Sequence, residues 1–541
     1  MNNELIISRR RMTKYKLTGG ALLFVVSFFL YGLASPGNLP GDTELRWSVA
    51  RQIVRANGVS LEQDVQTNNY AAGVGGKRYS YYGLGQSICL LPFAAIGLAI
   101  EKAGGIDAKV ADLTGQFLAS VILFPAIGAA LVWLLYRLVL LLGYDRKTAI
   151  FLSAVFAFAT MNFHYSVNAQ EQTQVGLLLV LAIWFMVKYY QQRRFIYAWF
   201  FCITLGMCLL FRPASAVTVL PVYLVAAVND ILGSHKKDIL KIIAKWFLAG
   251  ALGTGGFIIA CFWYNYIRFG SVFESGYGLS IPTSLAGHKL FESPPLPTLA
   301  AMLFSPGKSI FLYNPVLLLF PLCVYGFYHR HKVVALAISS AILSDFVFHS
   351  FFTAWAGDYA WSIRYHVPLL PFLVLPLVLL LSRPMRMAVK ILVISLILVS
   401  SVIQAASVVY NFNLEFVQNP NHCIIPDQWV WDWSQSHLRM RFENIIRHIA
   451  GKQDFSSVKV INEEPLLLRS NHTEESVRTA YTLNFFPFKA KSMLPSNSKK
   501  LFYPLLCLWL LLWMGFLVAA VGLAGFYAGR KTDDREQTGE D

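Results

Sequence analysis

The chain is poor in charge. Asp, Glu, Lys and Arg make up only 14% of its 541 residues, while hydrophobic types make up 56%. An average soluble domain carries roughly 25% charged residues, so this chain lacks the charge to clothe an ordinary water-facing surface. It also lacks cysteine patterning. None of its seven cysteines stands in a CxxC or CxxH spacing. Cys89, Cys202, Cys208, Cys261, Cys323 and Cys507 fall inside apolar stretches, and only Cys423 falls in a large polar loop. That pattern argues against a metal finger and for packing inside helices. No internal repeat and no low-complexity tract is present. No small-residue cleavage signal follows the first apolar run, which therefore reads as a retained signal anchor.

What the chain does have is apolar stretches of roughly 18–25 residues, the length that crosses a hydrocarbon core. The candidate segments are 17–35, 84–101, 115–142, 149–167, 173–190, 195–212, 214–232, 246–267, 310–328, 333–354, 365–382, 389–410 and 501–527. The net charge of +16 is distributed accordingly. Arg9, Arg10, Arg11, Lys14 and Lys16 precede the first stretch. Lys236, Lys237, Lys241 and Lys245 share one short loop, Arg330 and Lys332 another, and Arg383, Arg386 and Lys390 a third. Basic residues in alternate short loops orient a membrane protein with those loops in the cytoplasm; they are not the footprint of a nucleic-acid partner.

Strict alternation over all thirteen segments would place the later basic loops outside. They all move inside if the segment near 84–101, short and interrupted by Pro92, enters and returns without crossing. Such backbone is tolerated at membrane depth only when it is buried in protein or beside water. The expected fold is therefore an all-α polytopic membrane protein with about 12–13 transmembrane segments. The expected organisation is a basic cytoplasmic N-terminus (1–16), a transmembrane catalytic domain (17–410) with a first outer loop (36–83), an extracytoplasmic lobe (411–500), a last transmembrane helix (501–527) and a polar tail (528–541). In the lobe, Trp429, Trp431 and Trp433 precede Arg439, Arg441 and Arg447, which suits an interfacial helix.

Ionisable residues in or beside membrane spans are costly and are functional candidates. Here they gather at the outer ends of segments. Asp42 and Glu44 open a stretch with helical spacing of Trp47, Val49, Ile53 and Val54, which predicts a helix lying on the membrane surface. Asp42 either caps that helix or faces a cavity as a base. Lys77 and Arg78 stand beside Tyr79, Tyr81 and Tyr82, and suit a lipid phosphate or an interfacial anchor. Glu171 is the lone charge of the 164–173 turn, as a helix cap or as a site residue. Lys308, in Ser305-Pro306-Gly307-Lys308-Ser309, lacks the Gly-x4-Gly spacing of a nucleotide loop. Asp358 and Arg364 are spaced to pair, with Trp355 and Trp361 as aromatic faces for a sugar ring. Arg212-Pro213 closes another span. A carrier would place its charges near the midplane; heaped on the outer rim, they favour an enzyme acting there.

Together these motifs resemble the GT-C fold glycosyltransferases, the group that holds the protein O-mannosyltransferases and the lipid A aminoarabinose transferase. The resemblance covers most of residues 10–410. It is carried by the acidic pair after the first span (Asp42, Glu44), the basic-aromatic motif (Lys77, Arg78, Tyr79, Tyr81), the 168–173 turn, Leu210-Phe211-Arg212-Pro213, and the 305–315 and 355–368 runs. Where the family usually has Lys-Pro-Pro, this chain has Tyr-Tyr-Gly-Leu-Gly.

The resemblance implies a GT-C-like bundle in a bacterial inner membrane with its active site facing the periplasm. It implies a polyprenyl-phosphate-sugar donor and a glycan, lipid or protein acceptor. By the same resemblance, Asp42 is the general base and Glu44 its partner. Lys77, Arg78, Arg212 and Arg364 are the phosphate ligands, and Tyr79, Tyr81, Glu171, Lys308, Trp355, Asp358 and Trp361 line the sugar. No cofactor is expected to be required, although Asp42, Glu44 and Glu171 leave room for a divalent cation. The alternatives from other classes are a flippase of a lipid-linked sugar, which would need no base, and a non-catalytic partner in envelope assembly.

Overall fold

The computed structural model describes residues 18–39, 41–62, 70–279, 289–357, 360–418, 428–452, 482–493 and 500–528. Asp358, Cys423 and the basic N-terminus lie outside them. The architecture is all-α. Among the described residues, eight helices are long and apolar enough to cross a membrane: Ala108–Leu141, Gln172–Gln192, Pro213–Leu232, Lys236–Phe269, Lys332–Phe351, Arg364–Leu381, Met387–Ser407 and Phe502–Phe526. Gly19–Ala34 and Phe195–Phe211 are apolar but shorter. A helix satisfies every backbone group within its own segment, which lipid demands. The chain is an integral membrane protein.

The faces of these helices follow their position. Leu240, Phe247 and Ile259 on Lys236–Phe269 are largely exposed, an apolar surface suited to hydrocarbon rather than water. The segment Arg364–Leu381 is mostly buried among its neighbours. It begins as a 3-10 turn over Arg364–Leu369, where Pro368 and then Pro371 remove the backbone donors that a regular helix needs.

Besides Arg364–Leu381, two further segments read from the sequence as continuous are broken. Residues 310–328 form Ile310–Tyr313, a 3-10 turn Pro315–Leu319, and then Phe320–Arg330. Pro315 disfavours the helical region for the residue before it, and Asn314 turns outward to accept Met161 N at 2.7 Å. Residues 149–167 likewise divide into Arg146–Phe158 and Asn162–Val167.

The expected helix after the first span is present as Asp42–Val54, burying Leu45, Trp47, Val49 and Ala50. Helix Gly85–Lys102, with Pro92 inside it, packs along Asp42–Val54 and along Ala108–Leu118. Trp47 Nε1 donates to Asp112 at 2.9 Å, and Arg51 pairs with the same carboxylate at 2.9 Å. Among the described residues, the only sheet is a two-stranded hairpin pairing Ala71–Ala72 with Arg78–Tyr79.

A buried cluster clamps part of 411–500 to the bundle. Arg441 grips Glu415 through Nε (2.6 Å) and Nη2 (2.7 Å) and reaches the carbonyls of Ser407 and Asn411. His437 Nε2 meets Glu415 Oε2 at 2.7 Å. The three tryptophans do not share a helix or a face. Trp429 is buried, whereas Trp431 and Trp433 are half-exposed in short 3-10 turns. The helix itself is His437–Ile449.

Candidate functional site

The helix that carries Asp42 starts abruptly. Gly41 has φ 59°, a left-handed turn that glycine adopts without strain. No side chain caps this helix, so Asp42 does not serve as its cap. Its Oδ2 accepts from Arg364 Nη1 at 2.8 Å, and Tyr82, whose hydroxyl donates to that of Tyr81 at 3.4 Å, lies near the same carboxylate. Both members of the ion pair are nearly buried, at 12% and 11% exposure for the side chains of Asp42 and Arg364. Burial alone would push the Asp42 carboxyl upward. Arg364, then Arg46 and Tyr82, outweigh burial and hold it below the ordinary carboxylate range. Burial and the Asp42 charge push the Tyr82 phenol well up, so it stays a donor.

Arg46, one helical turn after Asp42, lies over the Tyr82 ring at 4.1 Å and pairs with Glu171 at 2.9 Å. Glu171 does not cap the helix that follows it either. Tyr81 packs against Tyr82 and Tyr277, with ring centroids at 4.6 and 4.9 Å. Gly83 lets this segment in: a Cβ there would meet the carbonyl oxygens of Leu210 and Phe211 at 2.4 and 2.5 Å. Arg212 and Arg364 flank Tyr365, at 4.5 and 5.4 Å from its ring centre. Arg212 also touches His349 Nε2 at 3.1 Å. Asp42, Tyr81, Glu171, Arg212 and Arg364 thus fall into one connected cluster.

Other candidates lie elsewhere. Glu44 is exposed, unlike the neighbouring Arg46 and Trp47, which are buried. Lys77 is exposed on the hairpin. Arg78 donates to the Glu62 carbonyl at 2.8 Å and covers Tyr70. Tyr79 donates to the Val74 carbonyl and packs edge-on against Phe269. Lys308 is buried, with Nζ 2.7 Å from the Ala360 carbonyl, so it braces the 360–362 loop. Trp361 is buried between His164, Tyr313 and His437, and Trp355 is buried too.

Sequence reading passed over Arg46, Tyr82 and Tyr365 as site residues. It also passed over a buried triad, Asp345, His349 and His366. His366 Nδ1 meets Asp345 Oδ2 at 2.6 Å, and His366 stacks on Phe346 with ring centres 3.9 Å apart. The signal was there: Asp345 and His349 stand at i,i+4 within an apolar span, a costly pair unless it has a use.

Among the described residues this triad, and not Asp42, Glu44 and Glu171, is the group whose donor atoms lie close enough for a cation, all within 4.8 Å of one another. Asp42 and Glu171 are instead neutralised by arginines. The triad has its own bonds as well. His349 Nδ1 lies 2.9 Å from the Asp345 carbonyl oxygen, and its Nε2 faces Arg212. A small cavity with about 10 Å³ of room for a water centre lies against Arg212, Ser215, Thr218, Asp345 and Tyr365, near the size one water needs.

Some solved structures are similar to this chain. ArnT from Cupriavidus metallidurans in the apo state is 12% identical, over 95% of this chain and 78% of that one, with a TM-score of 0.46. The Archaeoglobus fulgidus oligosaccharyltransferase AglB, in complex with an inhibitory peptide and a dolichol-phosphate, is 10% identical over 78% and 60%, with a TM-score of 0.45. The apo form of an Archaeoglobus fulgidus oligosaccharyltransferase is 11% identical over 79% and 61%, with a TM-score of 0.47. No family model and no curated protein sequence matches the chain.

Proposed function

We propose that this protein is a membrane glycosyltransferase that moves a sugar from a polyprenyl-phosphate donor to an extracytoplasmic glycan, lipid or protein, with inversion at the anomeric carbon. The observation that carries the reading is the Asp42 carboxylate, ionised and held at the mouth of a cluster of three arginines. A carboxylate beside several cations suits a reaction that needs a base and a stabilised phosphate leaving group.

In this reading the acceptor oxygen or nitrogen attacks the anomeric carbon on the side opposite the phosphate. The bond from that carbon to the acceptor forms as its bond to the phosphate oxygen breaks. The electron pair leaves on the phosphate, and the acceptor proton passes to Asp42. General-base assistance of this kind contributes roughly 10²–10⁴-fold. Arg364 and Arg212 meet the charge that develops on the leaving phosphate. Arg364 pairs with Asp42 and shares the Tyr365 ring with Arg212, whereas Lys77 lies out on the hairpin and Arg78 is engaged with Glu62. The phosphate role therefore passes to the two deeper arginines. The bacterial inner membrane and a periplasm-facing site belong to the same proposal and rest on the loop charges.

The test is transfer from radiolabelled polyprenyl-phosphate sugars by purified protein in lipid nanodiscs. Wild type is expected to transfer, and Asp42→Asn to bind donor without transferring. Full transfer by a folded Asp42→Asn protein would remove Asp42 from the chemistry. No transfer by wild type from any of several donors would overturn the enzyme reading, and donor flipping would be assayed next.

A further inference from the structure

Gln170, Glu171, Gln172, Thr173 and Gln174 are five successive polar residues, each at most 7% exposed. Buried polar groups in folded proteins nearly always have partners; Glu171 has one in Arg46, but several atoms of its neighbours do not. The Oε1 atoms of Gln170 and Gln172, Thr173 Oγ1 and both ends of the Gln174 amide have no hydrogen-bond partner, and neither does Asn168 Oδ1. Gln86 joins them from a neighbouring helix. Its Nε2 donates to the Ala169 carbonyl at 3.2 Å while its Oε1 is left over. Thr43 Oγ1 donates to that same carbonyl. Ala169 itself is held at φ 47°, a conformation that costs a side-chain-bearing residue energy and clusters at functional sites.

We infer that this turn, closed by Gln86, is a subsite for the hydroxyl groups of an uncharged sugar. Amides and a hydroxyl offer both donors and acceptors, which match C–OH groups that need both. The turn carries no surplus charge, because Glu171 is cancelled by Arg46 at 2.9 Å. It is thus unsuited to a free phosphate, an amino sugar or a uronic acid, each of which calls for an opposite charge. The inference rests on the proposed transferase reading, since the subsite adjoins Asp42 through Thr43 and Arg46, and it specifies the class of sugar.

The test uses the full chain in nanodiscs with Gln172→Leu and Gln174→Leu made singly. These near-isosteric changes remove leftover polar groups, so thermal midpoints should hold or rise. The first probes are polyprenyl phosphate without sugar and the same lipid carrying a neutral hexose, an amino sugar or a uronic acid. Wild type should bind the neutral-hexose lipid about tenfold more tightly than the bare lipid phosphate, and each variant should lose that margin while binding the bare lipid unchanged. Variants that keep the margin, or a wild type that prefers a charged sugar, would overturn the inference. Saturation-transfer NMR with a free methyl hexoside reads the subsite without any phosphate or reaction. Signal in wild type that is lost in the variants supports the subsite even if transfer fails, and absence of signal in wild type refutes it.

Discussion

Asp42 and Arg364, 322 residues apart in sequence, meet at 2.8 Å. Breaking a nearly buried ion pair strands the remaining charge. Arg364→Met should therefore cost about 1–3 kcal/mol of stability, read as a lower midpoint of thermal unfolding in nanodiscs. Adding Asp42→Asn to Arg364→Met should restore most of that stability and none of the transfer. A double variant as unstable as Arg364→Met would show that the arginine serves the fold through other contacts.

If Asp42 is the base of the proposed transfer, the same pair should set its pH dependence. The Asp42 carboxyl lies below the ordinary carboxylate range because Arg364, Arg46 and Tyr82 outweigh burial. The base is therefore already ionised at neutral pH, and rates should fall only when the pH drops through that lowered value. Removing Arg364 takes away its strongest charge partner. The acid limb of Arg364→Met should move to higher pH in rate profiles of whatever activity remains; an unmoved limb would assign that limb to another group.

The clamp beneath the lobe should open in acid. The Glu415 carboxyl would be raised by burial, but Arg441 and His437 bring it down to about 2, against an ordinary 4.5. His437 is lowered by burial to about 4, against 6.5, with Glu415 opposing the shift. For both groups the unfolded form takes up protons before the folded form does, so stability is lost as pH falls. Loss from His437 runs from about 6.5 to 4, and loss from Glu415 from 4.5 to about 2. Hydrogen exchange over His437–Ile449 should accelerate through this window. His437→Gln should remove the upper part and leave the lower.

Gly357 has φ 74°, and a Cβ there would lie 2.7 Å from Arg364 Cγ. Gly357→Ala should cost about 1–2 kcal/mol from the left-handed backbone and push the guanidinium from its place. The expected result is a folded protein whose transfer falls more steeply than its thermal midpoint. Equal transfer by variant and wild type would mean that Arg364 tolerates displacement.

Chelation tests the Asp345, His349 and His366 triad. Arg212 stands 3.1 Å from His349 Nε2, a cation where a metal would have to compete. Transfer should survive dialysis against EDTA, and titrated zinc should bind weakly by calorimetry. Loss of transfer on dialysis, restored by a divalent ion, would make the triad a metal centre.

Much of the site was legible from types and spacing. Asp42, Arg212, Glu171 and Arg364 were nominated because ionisable residues at the outer ends of apolar runs need a reason to be there, and all four enter one cluster. Lys308 and Trp361 looked equally suitable and became internal braces. Sequence spacing cannot tell a cation that faces a cavity from one that ties down a loop, because both sit beside aromatic residues at a helix end. Arg46 and Tyr82 were overlooked beside more conspicuous neighbours, and their value comes from contacts with residues far along the chain.

An all-α membrane protein can be read from the chain residue by residue, because apolar length and loop charge follow from transfer free energy. The same reading marks which stretches carry polar chemistry. Which arginine meets Asp42, that Glu44 is left exposed, and that Asp345, His349 and His366 form a triad emerge only once the chain is folded. Those outcomes depend on how broken helices such as Arg364–Leu381 pack against a helix hundreds of residues earlier. Such packing is a property of the whole bundle and is written in no local window of the chain.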